Sequence, residues 1–175
     1  AAQRVVLRHG HLIWNETTAG ARTGRSSSDD RPLYWARLKM MSVLRSYQPA
    51  WLRQSPGTPQ RGSVDDIRRD KQRLLQLFQD ASRGIDSAQF STATQHATRK
   101  RILISGYDPY GPSTSTNRGN PSGAAVLALD GLEITSGNVK AEIQGVIFPV
   151  RFTDFDAGLI ERFFQPYIFS THPPD

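Results

Sequence analysis

The sequence has no cysteine among its 175 residues. That excludes disulfide frameworks, thiolate-bound zinc or iron–sulfur clusters, and a thiol nucleophile supplied by this chain. Aromatic residues make up 9% and the apolar set 37%, so a core must be built from few large side chains. No stretch nears the ~20 consecutive apolar residues of a membrane-crossing helix. The start, Ala1-Ala2-Gln3-Arg4, has neither an initiator Met nor the apolar region of a signal peptide, and reads as trimmed or processed. No internal repeat is visible. The length predicts one domain, or one domain with an extension, in a soluble chain.

What is abundant is positive charge, and it is unevenly placed. The chain carries a formal net charge of +6. Residues 1–100 hold 17 Lys and Arg against 8 Asp and Glu, net +9, whereas 101–175 hold 5 against 8, net −3. The change falls near Gln95–Lys100 and divides the sequence into a basic part, 1–98, and a second part, 99–175. In the first part the charges alternate with acids and no aromatic-basic ladder occurs. A helical face docking on a neighbouring domain, with its Arg and Lys solvated, is therefore favoured over nucleic acid or an anionic membrane.

The first part predicts two helices on irregular chain. Asp29-Asp30-Arg31-Pro32 suits a helix start, and Leu33, Trp35, Leu38, Met41 and Leu44 give one apolar face ending near Tyr47. Ser63 can cap a second helix with Asp65 and Asp66 at its positive end, an apolar stripe of Ile67, Leu74, Leu75 and Phe78, and Gly84 as a stop. The second part alternates. Arg101–Ser105 reads as a buried strand, Asn120-Pro121-Ser122 opens a helix closed by Asp130-Gly131, Ala141–Arg151 reads as a second buried strand, and Asp154 or Asp156 can cap a final helix. This order predicts a three-layer α/β/α fold with a mostly parallel sheet, of which the first β-α-β-α is present. Two strands and two helices leave such a sheet uncovered, so the module reads as continuing past the Pro-rich terminal loop.

The most informative string is Gly106-Tyr107-Asp108-Pro109-Tyr110-Gly111, directly after a strand. Ligands of open α/β sheets sit at the carboxyl ends of strands, where glycines admit a ligand and aromatics wall a small apolar pocket. Packing of the two tyrosines on their own core is the structural alternative. Together with Asn120-Pro121-Ser122 and Leu129-Asp130-Gly131, this stretch resembles pyroglutamyl peptidase I (pyrrolidone-carboxylate peptidase), with its Gly-Phe-Asp/Glu-Pro-Phe-Gly loop, Asn-Pro-Ser helix start and Leu-Asp-Gly helix end. The likeness runs on through Ile147-Phe148-Pro149-Val150-Arg151-Phe152 and Ile160-Glu161 to the closing Pro-Asp, about 75 of the 175 residues.

The resemblance implies that Tyr107 and Tyr110 line a pyroglutamyl-ring pocket, that Asn120 shapes or contacts it, and that Gly106, Pro109, Gly111 and Pro121 form the loop. Tyr in place of Phe is a departure, because a buried hydroxyl needs a partner. The family's catalytic Glu, Cys and His fall beyond the closing Pro-Asp and have no counterpart here. The implied function is a cysteine peptidase that removes N-terminal pyroglutamyl groups, for which this chain supplies extension and pocket loop but not the catalytic groups. A peptide with N-terminal pyroglutamate is the implied partner, with a further C-terminal half or a homo-oligomer completing the unit. No cofactor is implied, and the location is cytoplasmic, with export the alternative. A noncatalytic binding or scaffold protein derived from that fold is the second reading.

A rival string, Val5-Val6-Leu7-Arg8-His9-Gly10 with Trp14-Asn15, resembles the Arg-His-Gly signature of the histidine phosphatase superfamily, where His accepts and Arg binds a phosphoryl group. That chemistry needs a second His and Arg on other strands, and beyond His11 the sequence offers only His96 and His172. The alternative is a strand or turn of the extension. His9 and His11 alone make a poor metal site. The Gly106–Gly111 spacing does not fit a dinucleotide loop, no P-loop lysine motif occurs, and Ser122 lacks a nucleophile elbow. Asn15-Glu16-Thr17 is a formal glycosylation acceptor, relevant only on export.

Overall fold

A computed structural model describes residues 1–25, 29–48, 63–90, 99–110, 118–170 and 173–174. Three helices come first: α1 (Ala2–Arg22), α2 (Arg31–Ser46) and α3 (Val64–Ala81). Then follow β1 (Arg99–Tyr107), α4 (Pro121–Leu129), β2 (Glu133–Ser136), β3 (Val139–Phe148), α5 (Phe152–Asp156) and α6 (Leu159–Ile168). The described residues thus form a mixed helix-and-sheet protein with one small sheet.

The expected strand or turn around Val5–Glu16 is instead the interior of α1. Val6, Gly10, Trp14 and Thr18 are buried at a spacing of four, which lays them along one helical face. The β-branched pair Val5-Val6 is overridden by that packing, a case of tertiary contact outweighing local propensity. In α2, with Pro32 in its first turn, the buried stripe is Leu33, Arg37 and Met41. Trp35 and Leu38 are corrected from core to surface, being 52% and 38% exposed, because they lie off that four-residue row.

Helix α3 starts at Ser63 as the sequence predicts. The Ser63 hydroxyl accepts from the Asp66 N–H (3.2 Å) and the Asp66 carboxylate accepts from the Ser63 N–H (2.8 Å), a reciprocal cap. Gly84, with φ +75°, lies in the turn after the helix and not at its stop. The Ser63 N–H, then Arg69, hold the Asp66 carboxyl down to about 2, from an ordinary 3.8. Lowering marks a carboxylate whose contribution is complete above pH 3.8 and lost as pH falls through about 2. We expect the melting temperature of Asp66→Asn to fall less steeply than that of the parent between pH 4 and 2, read by thermal scans across that range; parallel curves would refute the linkage.

The sheet has the order β1-β3-β2. β1 runs parallel to β3, with Ile104 opposite Gly145 and Tyr107 opposite Phe148, while β2 runs antiparallel to β3. β2 has no counterpart in the sequence reading, since all four of its residues are exposed. Past β2 the edge of β3 is satisfied group by group. The Ile143 N–H donates to the Leu132 carbonyl (2.9 Å), the Gly145 N–H to the Asp130 carboxylate (2.8 Å), and the Ile147 N–H to the Arg83 carbonyl (3.0 Å). A buried edge without such partners would carry a desolvation penalty at every second residue.

The faces of the sheet follow from strand alternation. Ile104 and Ile147 face Val126 and Leu127 of α4, and Trp14 of α1 and Leu33 of α2 join that cluster. Val146, Phe148 and Leu103 face the other way, onto Ala88 and onto Phe163 and Tyr167 of α6. A third cluster, Val6, Met41, Leu74 and Phe78, joins α1, α2 and α3. The helix predicted from Asp154 or Asp156 is in fact two: α5 begins before both residues, and α6 begins after Gly158, whose φ of +68° favours glycine. Among the described residues no helix is long and apolar enough to cross a membrane.

Candidate functional site

The carboxyl ends of β1 and β3 lie side by side, and the loop after β1 leaves between them. Gly106 lets this happen: a Cβ there would stand 2.5 Å from the Ser122 carbonyl oxygen, so any other residue would push α4 off the strand. Across that contact the Tyr107 N–H donates to Ser122 Oγ (3.1 Å). The Asp108 N–H continues the ladder to the Phe148 carbonyl (2.9 Å).

Asn120 fastens the loop to the helix. Its Oδ1 accepts from the Ser122 N–H (3.1 Å) as the cap of α4, and its Nδ2 donates to the Asp108 carbonyl (3.1 Å). Its own N–H donates to both oxygens of Asp30 at 3.1 Å. Asp30 is buried, which pushes its carboxyl above the ordinary carboxylate range, and the Asn120 N–H offsets part of that rise.

At the centre lies a charge cluster. The Asp108 carboxylate accepts from Arg37 Nη2, and its other oxygen lies 2.7 Å from Arg83 Nη1. Asp108 is 4% exposed, Arg37 2% and Arg83 6%. The expectation that the basic residues of the helical part are left solvated is corrected here: Asp108 draws two of them inside, one from α2 and one from the turn after α3. Arg83 Nη1 also reaches the Ile147 carbonyl (3.4 Å). Burial, then repulsion by Arg83, pulls Arg37 down to about 9, which leaves it a cation at neutral pH. Nε and Nη1 of Arg37 and Nε of Arg83 have no hydrogen-bond partner among the described residues.

Beside this cluster is a cavity of about 270 Å³ between α2 and the two strand ends, walled by Tyr34, Met41, Pro109, Tyr110, Pro149 and Val150. Arg83 and Asp108 reach its lining, together with Arg45 and Arg151. Tyr110, 67% exposed, stands at its rim. Tyr107 points elsewhere: its ring packs against Phe148 and Phe155, with centroids 6.3 and 6.1 Å away. Asn120 and Pro121 act behind the loop, at the helix start, and Pro109 is buried within it. Gly111, His96 and His172 lie outside the described residues.

Residues 1–61 match the family model of the PA0049 N-terminal domain. Residues 101–173 match that of the PA0049 C-terminal domain. A relative from Pseudomonas aeruginosa, the uncharacterized protein PA0049, is 32% identical over 184 residues, an alignment covering 95% of this chain and 31% of that protein. The chain thus spans about a third of the length of the curated relative it matches. No solved structure matches. The charge cluster draws Arg37 from the first matched segment, Asp108 from the second and Arg83 from the stretch between them.

The rival residues stand apart from this site. Arg8 and His9 are exposed on α1, where His9 Nδ1 bonds the Val5 carbonyl (2.8 Å). His11 Nε2 meets Asp86 at 2.9 Å. Among the described residues no group of three or more His, Asp and Glu is placed to hold a metal ion. Sequence reasoning missed Arg37, Arg83 and Asp30. The one signal for Arg37 was its place between Leu33 and Met41, four residues from each.

Proposed function

We propose that this chain carries the substrate-pocket part of a pyroglutamyl-peptidase-I-like cysteine peptidase, built on a three-layer α/β/α scaffold with a mostly parallel sheet. The observation that supports it best is the cavity at the carboxyl ends of β1 and β3, where such sheets place their ligands, with the Pro109-Tyr110 loop as one wall. Its volume accommodates a five-membered lactam ring and the carbonyl that follows. Gly106, Ser122 and Asn120 hold that loop to α4 and keep the wall in place. In the family's reaction a thiolate attacks the carbonyl next to the lactam and the amine of the following residue leaves. This chain has no Cys, so its own residues bind and orient, and the nucleophile belongs elsewhere in the full-length protein.

The test is hydrolysis of a fluorogenic pyroglutamyl amide by the full-length protein, with block by a thiol alkylator. Tyr110→Ala is expected to raise KM roughly tenfold, about 1.4 kcal/mol of lost binding. Tyr107→Ala, outside the cavity, should leave KM near the parent value. Turnover that ignores Tyr110, or responds only to Tyr107, would overturn this placement of the substrate. A second reading, a noncatalytic binding module, is favoured by the α2 residues Tyr34 and Met41, which roof the cavity, and by Asp108, whose two oxygens are both taken by arginines. Binding of the pyroglutamyl amide without turnover would select it.

A further inference from the structure

We propose that the cavity beside Asp108 is a receptor for a small organic carboxylate with an apolar body. The argument begins with charge. Two guanidinium groups and one carboxylate are buried together, so two cations share one anion in direct contact; Asp80, which acts on Arg83, and Asp30, which acts on Asp108, form no ion pair with the cluster. A buried charge left without a counter-ion is costly, and proteins keep one where something supplies the missing anion. Three of the six guanidinium nitrogens also lack an acceptor among the described residues: two on Arg37, which does not line the cavity, and Nε of Arg83, which does.

The cavity then shows where an anion can come from. Its lining includes Arg45, Arg83 and Arg151, with Asp108 the one described acid among them. Asp108 is already engaged by Arg37 and Arg83. Arg151, half exposed, is ion-paired with Asp154, 2.5 Å from its Nε, and donates to Gln79 of the same lining, which fixes its position before any ligand arrives. Guanidinium forks match carboxylates in two-point contacts, and a positively lined recess of low dielectric strengthens the attraction. The rest of the wall chooses among anions. Leu38, Met41, Pro109, Pro149 and Val150 offer carbon surface that inorganic phosphate cannot use and that an acyl or aryl group can. Arginines set among apolar walls therefore select a molecule with a carboxylate at one end and hydrocarbon at the other.

The inference does not depend on the pyroglutamyl reading, whose amide substrate is neutral. The experiment is calorimetric titration of the full chain with 3-phenylpropionate, its neutral amide and inorganic phosphate. We expect the carboxylate to bind at least about tenfold more tightly than either of the others, a 1.4 kcal/mol preference. Arg45→Met, at an exposed position of α2, should weaken the carboxylate about tenfold by the same conversion and leave the amide unchanged. Arg83→Met should abolish the preference. Equal binding of acid and amide, phosphate binding as tight as the phenyl acid, or no binding at millimolar ligand would each overturn the proposal. Turnover of a pyroglutamyl amide beside any of those results would sink this proposal alone, and carboxylate binding without turnover would sink only the peptidase reading.

Discussion

Asp108→Asn is expected to cost about 3–5 kcal/mol of folding stability, the usual penalty for breaking a buried ion pair and stranding its partner. Here two partners are stranded. Arg37 and Arg83 would face one another with a neutral amide between them, which can accept at one atom and no longer offsets either charge. Arg83→Met should be milder, because it leaves one arginine on one carboxylate. Urea unfolding of the three proteins decides: an Asp108→Asn loss below that of Arg83→Met would show that the cluster is not held by its charge balance. The substitution also reaches the loop, since the Asp108 backbone joins β3 and Asn120 and a displaced side chain would carry the cavity wall with it.

The second large effect belongs to the first helix. Trp14→Ala should destabilise the protein by about 3–5 kcal/mol, the range for emptying a buried Trp or Phe site. Trp14 is 2% exposed and packs with Val126, Leu127 and Ile147 of the α/β part, and its indole N–H donates to the Asp130 carboxylate (3.2 Å). Burial already pushes Asp130 above the ordinary carboxylate range, and loss of this donor pushes it further. Trp35→Ala, half exposed on α2, should change stability by about 0.5 kcal/mol or less, as surface substitutions do. Equal effects of the two tryptophans in denaturant melts would mean that α1 is not part of the cooperative unit.

These residues show how far the sequence could be read. Helix starts were legible wherever a side chain does local work: Pro32 in the first turn of α2, Ser63 with Asp66 at α3, and Asn120 at α4. Their physics is contained within four residues. The strands β1 and β3 were legible because both carry dense apolar runs. β2 was not, because an exposed four-residue edge strand has no apolar alternation to betray it. For α1 the signal was present in the spacing of Val6, Gly10, Trp14 and Thr18, but Gly and Thr are not apolar markers and the β-branched start pointed elsewhere.

The site divides in the same way. Its loop could be located from glycines and prolines next to a strand. Its charges could not: the Arg37–Asp108 contact joins residues 71 apart, and composition alone reads an arginine as a solvated group. Tyr107 and Tyr110, three residues apart on one loop, do not face one recess, because Tyr107 is the last residue of β1 and turns onto Phe148 and Phe155.

The bond from Trp14 to Asp130 spans 116 residues, and this sets an order of events during synthesis. Helix α1 emerges from the ribosome first, yet the surface that receives its tryptophan comes from α4 and β3. At roughly 5–20 residues per second, α1 must wait on the order of ten seconds for that surface. In the interval α2 and α3 are the elements that can shelter its apolar face, through Val6, Met41, Leu74 and Phe78. The three helices thus have a cluster of their own to form early, and the seating of Trp14 on α4 and β3 closes the fold late, as long-range contacts do.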